Sequence, residues 1–207
     1  MSKILLINGS PKEHGCTYTA LNEIAKTLKK YNVDSDILYL GKKPIAGCIA
    51  CSKCAKSGLC VFDDMVNKVI LHLDEYDGII VGSPVYYAGP TGQVCAFLDR
   101  LFYCSDKKMA GKLAAAVVSC RRGGASAAFD RLNKYFTICN MIVVGSQYWN
   151  QVHGFTPEDV LKDEEGLQTM RTLALNIVWL LENIKAGKDN NIPMPQYEKR
   201  LRTHFIK

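Results

Sequence analysis

The sequence predicts an α/β domain in which a five-stranded parallel sheet, strand order 2-1-3-4-5, carries helices on both faces. Three observations lead there. Apolar runs of strand length alternate five times with segments of helical period. The strands are nearly continuous in apolar residues, as strands buried on both faces must be. The loops richest in glycine, proline and hydroxyl residues follow strands 1, 3 and 4. Right-handed crossovers leave few other topologies, and in this one ligands sit beyond the carboxyl ends of strands 1 and 3.

Strand 1 is Ile4-Leu5-Leu6-Ile7, and the helix after it presents Tyr18, Leu21, Ile24, Ala25 and Leu28 on one face. Ser35 to Leu40 is strand 2, followed by a cysteine-rich insertion at 47–62 and a helix with Met65, Val66, Val69, Ile70 and Leu73 inward. Gly78 to Gly82 is strand 3, with Val94, Phe97, Leu98, Leu101 and Phe102 on its helix. Leu113 to Ser119 is strand 4, with a helix on Ala128, Leu132, Tyr135, Phe136 and Cys139. Met141 to Val144 is strand 5, and a long last helix carries apolar residues from Leu167 to Ile184. The stretch 147–165 has no clear period and reads as a functional or interface loop.

At 207 residues with 48% hydrophobic content the chain has material for one large domain, taken here as 1–207 with a tail at 187–207. No apolar run approaches the roughly 20 residues of a membrane span, and the start lacks a secretory pattern, so a cytoplasmic protein without a membrane partner is expected. The net charge of +6 is spread out and densest at Lys199-Arg200-Leu201-Arg202. A basic tail of that size is a solvated end, not a nucleic-acid site. Nine cysteines in a reducing compartment point away from disulfides, so their use lies in their spacing.

The first loop, Asn8 to Thr17, delivers amides and hydroxyls to the positive end of a helix and is an anion site. Gly15 is followed by Cys16-Thr17, so the Lys-Ser/Thr pair of an ATP-binding P-loop is missing, and so is a G-x-G-x-x-G run. Ser10, Thr17 and Thr19 with Lys12 suit a single terminal phosphate. In the second loop two prolines and two glycines fix the backbone around Val85-Tyr86-Tyr87. Adjacent aromatics beside a phosphate site suit a planar heterocycle, which together describe flavin mononucleotide.

Gly9-Ser10-Pro11-Lys12 with Gly15 and Thr17, then Gly82-Ser83-Pro84-Val85-Tyr86-Tyr87 with Gly89-Pro90-Thr91-Gly92, resembles the flavodoxin-like NAD(P)H-dependent FMN reductase family. The likeness runs from Lys3 to about residue 185. It implies a flavodoxin-like three-layer sandwich with FMN phosphate on Ser10, Lys12, Thr17 and neighbouring amides of Cys16, Tyr18 and Thr19. The isoalloxazine then lies along Pro84, Val85, Tyr86 and Tyr87. Cys16 stands where family loops often have Asn. The third loop, with Arg121, Arg122, Gly123 and Gly124, lies against the flavin edge in the family, where a guanidinium meets reduced flavin or a nicotinamide cofactor's phosphate.

Cys48, Cys51, Cys54 and Cys60 form C-x2-C-x2-C-x5-C. Such spacing wraps thiolates around one point, as in [4Fe–4S] loops, whereas zinc sites more often pair two separated C-x-x-C knuckles. The motif also resembles that of the iron–sulfur flavoproteins, a branch of the same family. Many similar relatives carry such cysteines, followed by Asp-Asp-Met like Asp63-Asp64-Met65, without a cluster. Cys95, Cys104, Cys120 and Cys139 read as small core residues, and Cys16 as a reactive thiol if the helix start lowers its pKa.

No Ser-His-Asp set or H-E-x-x-H motif supports hydrolysis. The leading expectation is an FMN oxidoreductase passing electrons from NAD(P)H to a small acceptor such as a quinone or free flavin, with no catalytic side chain required. The alternative is an electron carrier coupling FMN to a [4Fe–4S] cluster on the four cysteines. A third reading is a cofactor-sensing module that binds flavin without turnover. Aromatics near Tyr148, with Trp149 and Asn150, suggest a homodimer or homotetramer.

Overall fold

Helices pack onto both faces of the protein's sheet, and the computed structural model describes this arrangement for residues 2–199 and 201–205. Arg200 of the basic tail lies outside the described residues. The chain runs β1 (Lys3–Asn8), α1 (Cys16–Lys30), β2 (Asp34–Tyr39), α2 (Cys54–Ser57), α3 (Met65–His72), β3 (Gly78–Pro84), α4 (Gly92–Met109), β4 (Leu113–Cys120) and α5 (Ala125–Ile138). It then continues through β5 (Ile142–Val143), β6 (Gln151–His153), α6 (Pro157–Val160) and α7 (Glu164–Asp189). Among the described residues the named strands all pair in parallel, in the order β2-β1-β3-β4-β5, with β6 also beside β4. This is the flavodoxin-like topology expected from the sequence.

Alternation along the strands divides the core in two. Leu5, Ile7, Ile79, Val81, Ala114, Ala116 and Val118 face α3, α4 and α5. Ile4, Leu6, Ile80, Leu113, Ala115 and Val117 face α1 and α7. Every residue of β4 is buried, because it is covered on both faces and paired on both edges. Helix α1 buries Thr17, Ala20, Leu21, Ile24, Thr27 and Leu28, the 3.6-residue stripe of its sequence.

The fifth sheet position corrects the expectation of one apolar strand at Met141–Val144. Only Ile142 and Val143 pair as a strand, both partly exposed at the edge, and β6 takes up the pairing with β4 eight residues later at Gln151. Between them the chain swings out around Ser146, whose hydroxyl lies 2.6 Å from Tyr148 O and 2.7 Å from Asn150 Oδ1. The stretch read as lacking period holds β6 and α6, the latter started by a capping box of Thr156 and Asp159. Helix α4 departs from helical geometry at Ser105, whose hydroxyl donates back to Leu101 O at 2.5 Å. Among the described residues no helix is long and apolar enough to cross a membrane.

Two glycines let the first turns of α4 and α1 pack closely against the carboxyl ends of β1 and β3. A Cβ at Gly9 would lie 2.8 Å from Val94 Cβ, and one at Gly82 would lie 2.8 Å from Thr17 Cγ2. Gly9→Ala and Gly82→Ala are each expected to lower stability by about 1–3 kcal/mol through overpacking, read as a lower urea midpoint at unchanged slope.

Candidate functional site at the carboxyl rim of the sheet

The first loop is folded by a residue that the sequence reading passed over. Asn8 is fully buried, donates from Nδ2 to Glu13 O at 2.9 Å and accepts the Ser10 amide on Oδ1 at 3.1 Å. The Lys12 amide in turn donates to Ser10 Oγ at 3.1 Å. Gly15 precedes α1 without a side-chain cap, and the first turn holds no acidic residue, so the positive helix end is left open to an anion. Lys12 is exposed beside it.

The other residues of this loop divide. Thr17 is fully buried with its hydroxyl 2.8 Å from that of Ser119, and Thr19 donates to Gly15 O at 3.2 Å. Tyr18 packs edge-on against His14, ring centroids 4.7 Å apart. Cys16 opens α1 with its Sγ 3.7 Å from Gly154 O. The expectation of a lowered Cys16 pKa is corrected: burial pushes the thiol up, outweighing the lowering by a backbone hydrogen bond and by Lys12.

The second loop is fastened to the first. The Gly9 amide donates to Gly82 O at 2.9 Å, and the Thr91 hydroxyl donates to Gly9 O at 2.9 Å while accepting the Val94 amide as the cap of α4. Ser83, fully buried, accepts the Thr91 amide at 3.0 Å. Tyr86 and Gly89 exchange two backbone hydrogen bonds of 2.8 and 2.9 Å around Tyr87 at φ 49° and Ala88 at φ 59°. Positive φ at both central positions is the tight-turn geometry normally given to Gly or Asn, and each non-glycine residue there costs about 1–2 kcal/mol. The strained turn holds Tyr87 fully exposed and Tyr86 half exposed, with Pro84 and Val85 half-buried below.

The third loop closes the rim. Gly124 stands at φ 86°, and a Cβ there would lie 2.9 Å from Ala88 Cα, so only glycine lets this loop lie against the second. The Val85 amide donates to Ser119 O at 2.9 Å. Arg121, Arg122 and Gly123 are exposed beside it. All three loops thus meet at one edge of the sheet. Tyr148 and Trp149, with centroids 5.1 Å apart, stand half-exposed on the bulge after β5.

Cys48, Cys51, Cys54 and Cys60 line one hollow against α4, together with Arg100 and Cys104. Cys48 and Cys51 are exposed on irregular chain, and Cys54 opens the one-turn α2. Cys60 is pinned: Asn67 accepts its amide at 2.8 Å and donates to its carbonyl at 3.0 Å. Among the described residues no three His, Cys, Asp or Glu side chains are set as ready metal ligands. The donor set itself, four thiols on one hollow, has the chemistry an iron–sulfur cluster requires.

Two residues of α4 were missed. Cys104, read as a core cysteine, belongs to this hollow; burial, then hydrogen bonding with Cys54, pushes its thiol up to about 12. Arg100 is 1% exposed and is bonded to Asp64 at 2.6 and 2.8 Å, to Ala46 O at 3.2 Å and to Cys60 Sγ from Nε at 3.1 Å. Burial opposes its charge, but Asp64 and then Cys60 hold its pKa above the ordinary value. The available signal was an arginine among the apolar residues Phe97, Leu98 and Leu101, four residues before a cysteine on the same helix face.

The family model for NADPH-dependent FMN reductase matches residues 2–156. An iron–sulfur flavoprotein of Methanocaldococcus jannaschii is 31% identical, over 88% of this chain and 99% of that protein. An iron–sulfur flavoprotein of Methanosarcina thermophila is 28% identical, over 90% and 99%. Among solved structures, an archaeal flavodoxin aligns with a TM-score of 0.59 at 18% identity, over 88% of this chain and 99% of that one.

Exposure and thiol pKa together order the cysteines by reactivity. In iron-free protein at pH 8, iodoacetamide followed by peptide mass spectrometry is expected to label Cys48 and Cys51 first. Cys16, Cys95 and Cys104, whose thiols burial holds above the ordinary value near 9.0, are expected to label appreciably only at more alkaline pH, because the thiolate is the reacting form.

Proposed function

The chain belongs to the NADPH-dependent FMN reductase family, a flavodoxin-like family of FMN-binding oxidoreductases, and from that footing we propose that it works as an iron–sulfur flavoprotein. In this reading FMN sits at the carboxyl rim and a [4Fe–4S] cluster is held by Cys48, Cys51, Cys54 and Cys60. The observation that carries it is that all four thiols of the motif line one hollow on α4, the helix whose first turn is fastened to the carboxyl rim. Arg100 lies eight residues beyond Gly92, or about 12 Å along the helix. The two cofactors, when bound, supply one-electron exchange between flavin and cluster.

The protein's part is binding and orientation. Ser10 Oγ accepts the Lys12 amide, which leaves its own hydrogen for a phosphate oxygen, and Lys12 adds the charge. Cys16 and Tyr18 contribute amides at the helix start, while Thr17 and Thr19 fix the loop from inside. Pro84, Val85, Tyr86 and Tyr87 border the ring system on one side, with Arg121, Gly123 and Gly124 on the other. The exposed Tyr148 and Trp149 form the face through which two or four copies associate. Nine free cysteines fit a reducing cytoplasm.

A second reading has a specific observation behind it. Arg121 and Arg122 are exposed at the rim, where they can meet the phosphate of NAD(P)H. The protein then passes hydride-derived electrons to a small acceptor such as a quinone or free flavin, without a cluster.

Anaerobic purification with visible spectroscopy and iron and sulfide assays separates the two. Brown protein with FMN and about four irons per chain is expected. Iron-free yellow protein reduced by NADPH establishes the second reading instead. Ser10→Ala is expected to weaken FMN binding by about 10-fold or more in a fluorescence titration, since a hydrogen bond to a charged group contributes about 1.5–3 kcal/mol. Unchanged affinity means the phosphate lies elsewhere.

A further inference from the structure

We propose that Arg100 is a positioning residue that raises the reduction potential of the cluster through Cys60. The inference rests on the cluster reading above and goes beyond it by assigning a role to a side chain that is not a ligand.

Cys60 differs from the other three cysteines of the motif. Asn67, itself 7% exposed, clamps its backbone on both sides. Its sulfur receives the Nε–H of a guanidinium that is almost wholly buried, while Cys48 and Cys51 lie on exposed chain. Arg100 has little freedom to turn away. Asp64 takes its two terminal nitrogens, Ala46 O and Phe62 O accept further bonds at 3.2 and 3.3 Å, and the Phe62 ring lies 5.0 Å from its carbon.

The pairing with Asp64 explains how the charge is kept inside; it does not explain why Nε points at a sulfur. A carboxylate fork needs two nitrogens, and Asp64 is satisfied by Nη1 and Nη2, which leaves Nε–H to the thiol. Uptake of one electron makes the cluster and its sulfurs more negative and breaks no bond. An N–H donor and a buried positive charge at one ligand sulfur therefore stabilise the reduced form more than the oxidised one. Asp64 opposes this from the far side of the guanidinium, so the two residues should act with opposite sign.

The test is an anaerobic redox titration followed by electron paramagnetic resonance, with dithionite as electron source, on the holoprotein and two variants. Asp64→Asn keeps a good cap for α3 while removing the opposing charge. Arg100→Gln combined with Asp64→Asn removes the pair together and leaves no buried ion unpartnered. The double variant is expected to hold about tenfold less reduced cluster at a fixed poise, which is about 59 mV for a one-electron couple. Asp64→Asn alone is expected to move the midpoint the other way. Opposite shifts are not produced by loss of packing. Midpoints equal to wild type in both variants, or shifted in one direction, overturn the proposal. If the double variant folds without iron, the Asp64→Asn midpoint decides: an upward shift supports the assignment and none overturns it. Wild type without iron and sulfide removes the cluster reading and this role together, and is recognised before any variant is made.

Discussion

The close approach of Gly9 to Gly82 and Val94 is the constraint on which the rim depends. Parallel pairing sets Asn8 opposite Gly82, and the next amide donates across to Gly82 O. Because no Cβ intervenes, α4 begins against β1, and the Thr91 hydroxyl that caps it also holds Gly9 O. The first loop and the tyrosine-bearing loop are therefore one hydrogen-bonded unit. Ser119 extends it, accepting the Val85 amide on its carbonyl and meeting the Thr17 hydroxyl with its own. A rigid scaffold of this kind lets Tyr87 and Ala88 occupy strained backbone without collapsing the turn.

Helix α4 serves the rim at its first turn and the cysteine hollow two turns later. Gln93 donates to Leu40 O and Gly41 O, fixing where the chain leaves β2, and Arg100 gathers Ala46, Cys60, Phe62 and Asp64. An ion pair with its arginine buried is a poor source of net stability, since desolvation of that charge offsets much of the attraction. Its value here is geometric. Five hydrogen bonds from one guanidinium to four residues define the path of a cysteine loop that has little regular structure and few buried side chains of its own.

Strand order, the two-faced core and the placing of three loops at one edge were legible in the residues, because burial imposes period 2 on strands and 3.6 on helices. The C-x2-C-x2-C-x5-C spacing singled out four cysteines, and the fold sets all four along one hollow. Less visible was the division of labour in the first loop. Ser10, Thr17 and Thr19 look alike as hydroxyl donors, yet the fold turns the Thr17 hydroxyl inward to Ser119, a partner 102 residues away.

What the sequence by itself determined is the layered α/β architecture and which loops gather at the carboxyl ends of the strands, since both follow from local periodicity and from residue types with few alternative uses. The tertiary structure alone decided the split of the fifth strand, the membership of Cys104 in the hollow, the raised rather than lowered Cys16 thiol, and the seat of Arg100 behind Cys60. Each of these depends on burial and on a partner distant along the chain. Desolvation and long-range hydrogen bonding have no signature in a window of neighbouring residues.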